Sequence, residues 1–392
     1  KIESLTKWMD SHGIRYGHTA SAKTVKGFDF QKQASSTLNV TQQDIIISVY
    51  QPKSRFVTAV FDPSSRLPDS LTYDITAWNL MYAYDLKAHA LSERLDVSRP
   101  FRPAEYSPSP ADKPYAYIFH YNSIEDGAFL AALLKKGVRV RSSEKSFRVG
   151  GQDYSPGTLI ITRRNNEQID GFDGVITELA RQMKRRIQTT STGFVERGRD
   201  FGSSDLNFIK APKIAVLFGE QTSSLSSGEV WYYFEQQIRY PITQIGTDYF
   251  RNINLGKYDV LIIPEGYYRL FDDVTVEGIS NWIEKGGKLV LIGNAINAFA
   301  EKKGFGARRY ATEEEKNEAE RKEKALREKE GFPRYEDTER KMVSESISGA
   351  IYKVAIDNSH PLGFGLGDHY FSLKTNELRF GFLDQGWNVG VI

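Results

Sequence analysis

Short apolar runs alternate with amphipathic segments over the C-terminal half of the chain. Lys213–Phe218 and Lys288–Ile292 have the length and composition expected for strands that are buried on both faces. Between them, Val276, Ile279 and Ile283 share one face of a helix. Strands and helices that alternate at this spacing predict an α/β fold with a doubly wound, mainly parallel sheet.

The middle of the chain has the same rhythm on a smaller scale. Tyr115–His120 and Thr158–Thr162 predict strands, and Phe172–Lys184 predicts a helix. Asn122-Ser123 is a typical start for a further helix, because these side chains can accept a hydrogen bond from the free amides of a first turn. This part is therefore predicted to be a smaller α/β domain.

The N-terminal part is predicted to be irregular. Its clearest element is a helix that starts near Ile2 and ends at His12-Gly13, and the proline-rich connector Arg99–Pro114 follows. The predicted division of the chain is an irregular packing segment at 1–110, a small α/β domain at 111–211 and a doubly wound domain at 212–392.

A highly charged segment interrupts the last predicted domain near 311–331. Of the 18 residues from Glu313 to Glu330, 14 are charged, and both signs mix at the i,i+4 spacing that supports a helix. So few apolar side chains cannot cover a core, which predicts a solvent-exposed helical insertion. An interaction arm is the alternative interpretation.

Composition narrows the classes of function. The 392 residues include 52 lysines and arginines against 50 acidic residues, so nucleic-acid binding, which needs a strongly basic surface, is not expected. The absence of cysteine rules out disulfides and thiolate chemistry in this chain. No apolar run approaches the roughly 18 residues that cross a bilayer, so no membrane span is expected. Because the chain opens at Lys1 without a signal sequence, we expect a signal peptide and further sequence to have preceded it.

Several stretches are similar, in order, to a region that follows the catalytic domain in a known enzyme family. They are Gln51-Pro52, Phe61–Pro63, Tyr73–Leu80, Gly157–Ile160, Gly228–Glu235 and Trp387–Gly390. On these residues the chain resembles the non-catalytic C-terminal region of large bacterial zinc carboxypeptidases of the carboxypeptidase A-like family. The resemblance implies a periplasmic or secreted protein that acts on peptides, with the upstream metallopeptidase domain of the same polypeptide as the partner of this region.

The zinc ligands of that family have no counterpart in this chain. The family uses a His-x-x-Glu pair and a later histidine, whereas none of the six histidines here is followed by glutamate three residues later. No metal ligand, catalytic residue or cofactor is therefore predicted for this chain, and zinc is implied only for the absent upstream domain.

One strand and the turn after it offer a candidate binding site. The turn that follows Leu289–Ile292 resembles the turn that holds the nucleophilic cysteine in class I glutamine amidotransferase-like domains. It carries Asn294 and Ala295 instead, and neither side chain can attack a carbonyl. The resemblance thus implies a degenerate domain of the flavodoxin or amidotransferase-like type, with Pro264-Glu265-Gly266 as the partner loop. A small polar ligand is predicted to bind there, at Glu265, Gly266, Gly293, Asn294 and Ala295.

The glycine- and serine-rich loop Gly219–Gly228 follows a predicted strand and opens a helix. It lacks the Gly-Lys-Ser/Thr ending of a phosphate-binding loop. Ser226 or Ser227 is therefore predicted to cap the helix, and a phosphate site is the alternative.

Two hypotheses for function follow. In the first, the chain is a non-catalytic accessory region of a secreted zinc metallocarboxypeptidase, which packs on the upstream peptidase domain and shapes it. In the second, it is a self-standing ligand- or protein-binding module with a degenerate amidotransferase-like fold. The first predicts a stable complex with the peptidase domain, and the second predicts that a ligand stabilises the isolated chain.

Overall fold

The structure is a computed structural model that describes residues 1–63, 79–103, 113–309, 349–376 and 378–392, with a few isolated positions between 317 and 340. The α-helices with both ends among these residues are Ile2–Ser11 (α1), Ser54–Phe61 (α2), Leu80–Ala83 (α3), Ile124–Lys135 (α4), Phe172–Gln182 (α5), Ser224–Tyr232 (α6) and Asp273–Glu284 (α7). No helix of the described part is both long and apolar enough to span a membrane.

The strands fall into three groups along the chain. The first group is Tyr16–His18 (β1), Lys23–Asp29 (β2), Ala34–Val40 (β3), Ile46–Ile47 (β4), His89–Leu91 (β5) and Arg99–Pro100 (β6). The second is Ala116–Phe119 (β7), Arg141–Ser143 (β8), Phe147–Val149 (β9), Gln152–Tyr154 (β10), Leu159–Thr162 (β11), Gln188–Thr190 (β12) and Leu206–Phe208 (β13). The third is Ile214–Phe218 (β14), Ile242–Gly246 (β15), Val260–Ile263 (β16), Lys288–Leu291 (β17), Ala350–Ile356 (β18), His369–Lys374 (β19) and Gly390–Val391 (β20).

Four strands form a parallel sheet in the order β15-β14-β16-β17. Four of the five residues of β14 are buried, because helices cover both faces of this sheet. On one face, Val276 and Ile279 of α7 pack in a cluster with Leu217 and Leu261. On the other face, α6 and the helix α4 from the middle of the chain contribute to a second cluster.

The middle of the chain is a five-stranded antiparallel sheet in the order β12-β7-β11-β8-β13. Every residue of β7 and β11 is buried. Helices α4 and α5 cover one face with side chains such as Phe129 and Ile176. The hairpin β9–β10 and Phe201 cover the other face. As predicted, Ser123 caps α4, and its hydroxyl accepts a hydrogen bond from the Asp126 amide at 3.2 Å.

The fold class predicted from the sequence is wrong. The described residues form six sheets, of which one is parallel and has four strands, while the other five are antiparallel. The chain is thus a mixed α/β protein with several small antiparallel sheets, and not a doubly wound, mainly parallel sheet. A continuous apolar run predicts a strand that is buried on both faces, as in a parallel sheet. β7 and β11 are such runs, but they pair antiparallel. Their burial on both faces comes from helices on one side and a hairpin on the other.

The N-terminal segment is not irregular, which corrects a second part of that prediction. Two three-stranded antiparallel sheets, β4-β1-β6 and β3-β2-β5, lie within the first hundred residues. The strand β3, which with β2 is the longest of this group at seven residues, exposes most of its residues and is largely polar. Hydrophobic periodicity was therefore too weak to reveal it.

The first and last parts of the described chain share one hydrophobic cluster. The ring centroids of Tyr82 and Phe371 are 4.5 Å apart, and Phe30 packs beside them. The Lys353 ammonium donates a hydrogen bond to the Gln31 carbonyl at 2.6 Å. The strands β18 and β19 therefore contact residues of the N-terminal part. The domain boundaries at 110 and 211 stay a prediction.

Two sequence predictions fall largely outside the described residues. Residues 73–78 of the stretch that carries the family resemblance are outside them, and so is most of the predicted helical insertion near 311–331. The described positions between 317 and 325 are helical.

An ion pair in the middle sheet predicts an acid-sensitive contribution to stability. The Arg163 guanidinium donates two hydrogen bonds to Asp173, at 2.6 and 3.0 Å, and the Tyr117 hydroxyl donates a third at 2.7 Å. The hydrogen bonds from Arg163 are the largest cause that lowers the pKa of Asp173, with a further contribution from Tyr117, and burial opposes them. A lowered folded-state pKa stabilises the fold above the unfolded-state value of about 3.9, and this stabilisation disappears as the pH falls through the folded-state pKa.

We therefore expect Asp173→Asn to lower stability at neutral pH and to cost progressively less as the pH falls below about 4. The effect is modest because the Asp173 side chain is 37% exposed. Urea unfolding midpoints of both proteins across this pH range measure it. Asp170→Asn, three residues earlier and exposed, is the control. A difference between Asp173→Asn and the parent protein that does not change with pH would contradict the prediction.

Candidate functional site

The predicted binding residues lie at one edge of the parallel sheet. Strands β14, β16 and β17 run in the same direction, so their carboxyl ends meet at this edge. The loops that follow them are 219–223, 264–266 and 293–298. In sheets of this kind, ligands bind outside the carboxyl ends of the strands, where neighbouring loops separate.

Backbone hydrogen bonds join the loops after β14 and β16. The Ser223 amide donates to the Glu265 carbonyl at 2.7 Å, and the Glu265 amide donates to the Ser226 hydroxyl at 3.1 Å. Thr222 and Gly266 form an isolated antiparallel bridge. These hydrogen bonds therefore connect the two loops directly to each other.

Ser223, and not Ser226 or Ser227, caps α6, which corrects the predicted cap. The Ser223 hydroxyl accepts a hydrogen bond from the Ser226 amide at 3.4 Å. Ser226 is 5% exposed, and its hydroxyl accepts from the Glu265 amide. Ser226, which the sequence predicts as a possible cap at the start of this helix, thus holds the loop of the candidate site.

The turn after β17 contacts the same loop through Asn294. The Asn294 side-chain oxygen accepts a hydrogen bond from the Gly266 amide at 2.8 Å. Gly266 is confined, because a Cβ atom there would overlap the Gln221 carbonyl oxygen and lie 3.0 Å from Thr222 Cα. The Asn294 side chain in this turn thus serves as a hydrogen-bond acceptor.

Gly293 permits the close approach of Glu265. Its φ is +54°, in the left-handed region, and a Cβ atom at this position would overlap the Glu265 carboxyl group. The carboxyl group of Glu265 is half-buried and lies 3.5 Å from the side-chain nitrogen of Asn376. The structure thus brings Glu265, Gly266, Gly293 and Asn294 together, and ligand binding by them stays a prediction.

Ala295 belongs to the core and not to the candidate site surface. It is 0% exposed and packs in the same cluster as Phe299. Two residues that sequence reasoning did not include, Ser226 and Asn376, contact Glu265. The sequence indicates Ser226 only as a possible helix cap. Nothing in the sequence near Asn376 indicates that it approaches a loop 111 residues earlier.

The chemistry available at this edge is hydrogen bonding by a carboxylate and two carboxamides. The Gly266 amide, a group of the kind that can stabilise an oxyanion, already donates to Asn294. Among the described residues, no group of three or more histidine and acidic side chains is placed to hold a metal ion. Two surface cavities, of about 370 and 300 Å³, lie in the middle part of the chain, and neither is lined by Glu265.

The side chains of the two C-terminal histidines are held by hydrogen bonds within the chain. His360 Nδ1 accepts from the Leu362 amide at 3.2 Å. His369 lies 2.6 Å from Asp368 through Nδ1 and 2.6 Å from Gln31 through Nε2. The second contact joins β19 to the N-terminal part.

Comparisons with protein-family models, with curated proteins and with solved structures find no match to this chain.

The hydrogen bond between Asn294 and Gly266 predicts a measurable loss in a variant. Asn294→Ala removes the acceptor and leaves the half-buried Gly266 amide without its partner, so we expect the free energy of unfolding to fall by about 1 kcal/mol. Urea unfolding measures this change. Asn297→Ala is the matched control, since Asn297 lies in the same turn and makes no side-chain hydrogen bond among the described residues. Equal losses in the two variants would contradict the assigned role.

Proposed function

We propose that this chain is a non-catalytic accessory region of a secreted zinc metallocarboxypeptidase, and that it packs on the peptidase domain of the same polypeptide. The resemblance of Gly157–Ile160, Gly228–Glu235 and Trp387–Gly390 to the region after such a domain supports this family. The zinc and the residues that bind and use it would then belong to the upstream domain, and the substrate would be a peptide.

One observation carries the non-catalytic part of the proposal. Asn294 stands in the turn where a related hydrolase would hold its nucleophile, and its side chain accepts the Gly266 amide. A carbonyl substrate at this edge would meet neither an attacking group nor a free donor from Gly266. The arrangement suits a packing role, because its hydrogen bonds stabilise the loops against each other.

The mass of the native protein tests the proposal. We expect the protein from its natural source to be tens of kilodaltons heavier than the 44.5 kDa of this chain, and its additional peptides to include His-x-x-Glu. A native mass near 44.5 kDa would overturn the proposal and would support the hypothesis of a self-standing binding module.

An activity measurement separates the accessory role from catalysis by this chain. We expect the purified chain to release no C-terminal residue from peptides, with or without added Zn²⁺. Turnover that Glu265→Gln abolishes, while Glu277→Gln on the exposed face of α7 does not, would place catalysis at the sheet edge and contradict the proposal.

A further inference from the structure

A cavity of about 300 Å³ opens on the five-stranded sheet, beside its edge strand β12. Its floor is apolar and includes Ile118 of β7 and Val149 of β9. Its rim carries the amide side chains of Gln152 and Gln188, and Gln188 lies opposite Ile118 in the register of β12 with β7, on the same face of the sheet. The volume lies at the lower end of the range of about 300–1,000 Å³ typical of small-molecule sites.

The sequence explains how the cavity forms. In β9 and β10, Val149 and Tyr154 are buried, whereas Arg148 and Asp153 are more exposed, which is the alternation of a hairpin with one face on the sheet. The turn Gly150-Gly151 takes positive φ at both residues and joins the two strands tightly. The short hairpin therefore covers β7 but leaves a gap above β12.

A hydrogen bond across the gap fixes one wall. The Tyr154 hydroxyl on the hairpin donates to the side-chain oxygen of Gln188 on β12. The Tyr154 ring also stacks on Phe147, with centroids 4.8 Å apart. Burial raises the pKa of Tyr154, so the hydroxyl keeps its proton and remains a donor at neutral pH. The side-chain nitrogen of Gln188 remains a donor without a partner among the described residues.

The residues that line the cavity include no lysine, arginine, histidine, aspartate or glutamate. Of the nine residues that line the cavity, Tyr154 alone has an ionisable side chain. Burial raises its pKa, so the hydroxyl is uncharged at neutral pH. The charged residues of the hairpin pair with each other: Arg148 contacts Asp153 at 3.0 Å and Glu196 at 3.3 Å. A phosphate or carboxylate ligand would find no cation in the lining, and a cationic ligand would find no anion.

We propose that this cavity binds one unit of a neutral saccharide. A sugar ring presents an apolar face of C–H groups and a rim of hydroxyl groups that both donate and accept. The apolar floor matches the face, and the side-chain amides of Gln152 and Gln188 match the hydroxyl groups. The outer edge of β12 pairs with no strand among the described residues, so it adds amide and carbonyl groups beside the rim. This site is separate from the edge of the parallel sheet and does not depend on the proposed accessory function.

Saturation-transfer NMR with the full chain tests the proposal. The probes are D-glucose, D-galactose and N-acetyl-D-glucosamine, with D-glucuronate as a charged ring of the same shape and inorganic phosphate as a competitor. We expect transfer to at least one neutral sugar, weaker transfer to glucuronate and no competition by phosphate. Absence of transfer to all three neutral sugars, or a preference for glucuronate, would overturn the proposal.

Variants assign the binding to this cavity. The variant Gln188→Leu keeps side-chain size but removes rim hydrogen bonds, and we expect the dissociation constant to rise by roughly tenfold. The control is Gln244→Leu on β15, another edge strand, and it should bind as the parent does. If the Gln188→Leu variant does not fold, Gln152→Leu on the hairpin tests the same site, again by its effect on the dissociation constant. Unchanged binding in the cavity variants would show that the sugar binds elsewhere and would reject the site.

Discussion

Phe299→Ala is expected to lower the free energy of unfolding of the parallel-sheet region by about 3–5 kcal/mol. Phe299 is 0% exposed and directly follows the turn that carries Gly293 and Asn294. Its ring centroid lies 4.9 Å from that of Phe271 and 5.1 Å from that of Phe305. Removing the ring leaves a cavity that these neighbours can fill only in part, so packing and burial are both lost.

Hydrogen exchange of the buried amides in β14 and β16 measures this loss, because it reports the opening of this sheet separately from the rest of the chain. Phe382→Ala is the matched control, since Phe382 is 70% exposed and its removal should change stability by less than about 0.5 kcal/mol. If both variants exchange alike, Phe299 does not anchor the turn.

Gly266→Ala is expected to cost about 1–3 kcal/mol, towards the upper end of that range. The added Cβ atom would overlap the Gln221 carbonyl oxygen and come within 3.0 Å of Thr222 Cα. Both are backbone atoms of the facing loop, which cannot move aside as a flexible side chain would. The bridge between Thr222 and Gly266 should open, and the hydrogen bond from the Gly266 amide to Asn294 should weaken.

Gly278→Ala is the control for this substitution. Gly278 lies inside α7, and a Cβ atom there would meet nothing within 4 Å. Alanine in a helix is favoured over glycine by about 0.5–1 kcal/mol, so this variant should be more stable than the parent. Urea unfolding of both variants should therefore give changes of opposite sign. A neutral Gly266→Ala variant would mean that the two loops move apart freely.

The candidate residues were predicted from short stretches of sequence. Such stretches are sufficient to locate a loop that directly follows a strand. An apolar run followed by small and polar residues indicates a strand and the loop at its end. Because β16 and β17 are parallel neighbours, Glu265 and Asn294 had to lie near each other. Asn376 reaches the same carboxyl group from 111 residues away, and no local pattern records such a contact. Whether a ligand binds there stays a prediction.

The fold class was predicted wrongly because an apolar run shows burial but not direction. β7 is buried throughout and β14 at four of its five residues, yet β7 pairs with antiparallel strands and β14 with parallel ones. The pairing depends on which element covers each face and on how the chain returns to the sheet. In the N-terminal part, polar strands such as β3 are stabilised by cross-strand pairing with β2 and carry little apolar signal.

The shared core of the N-terminal sheets and β19 has a consequence for the order of events during synthesis. His369 leaves the ribosome 338 residues after Gln31, its contact in the finished protein. At about 5–20 residues per second, roughly 20–70 s separate the two. Throughout that interval Phe30 and Tyr82 lack the ring of Phe371 that covers them. The N-terminal part of the nascent chain is therefore expected to expose this apolar surface until the C-terminal residues have been synthesised. Chaperones that bind apolar surfaces should bind the nascent chain at this surface.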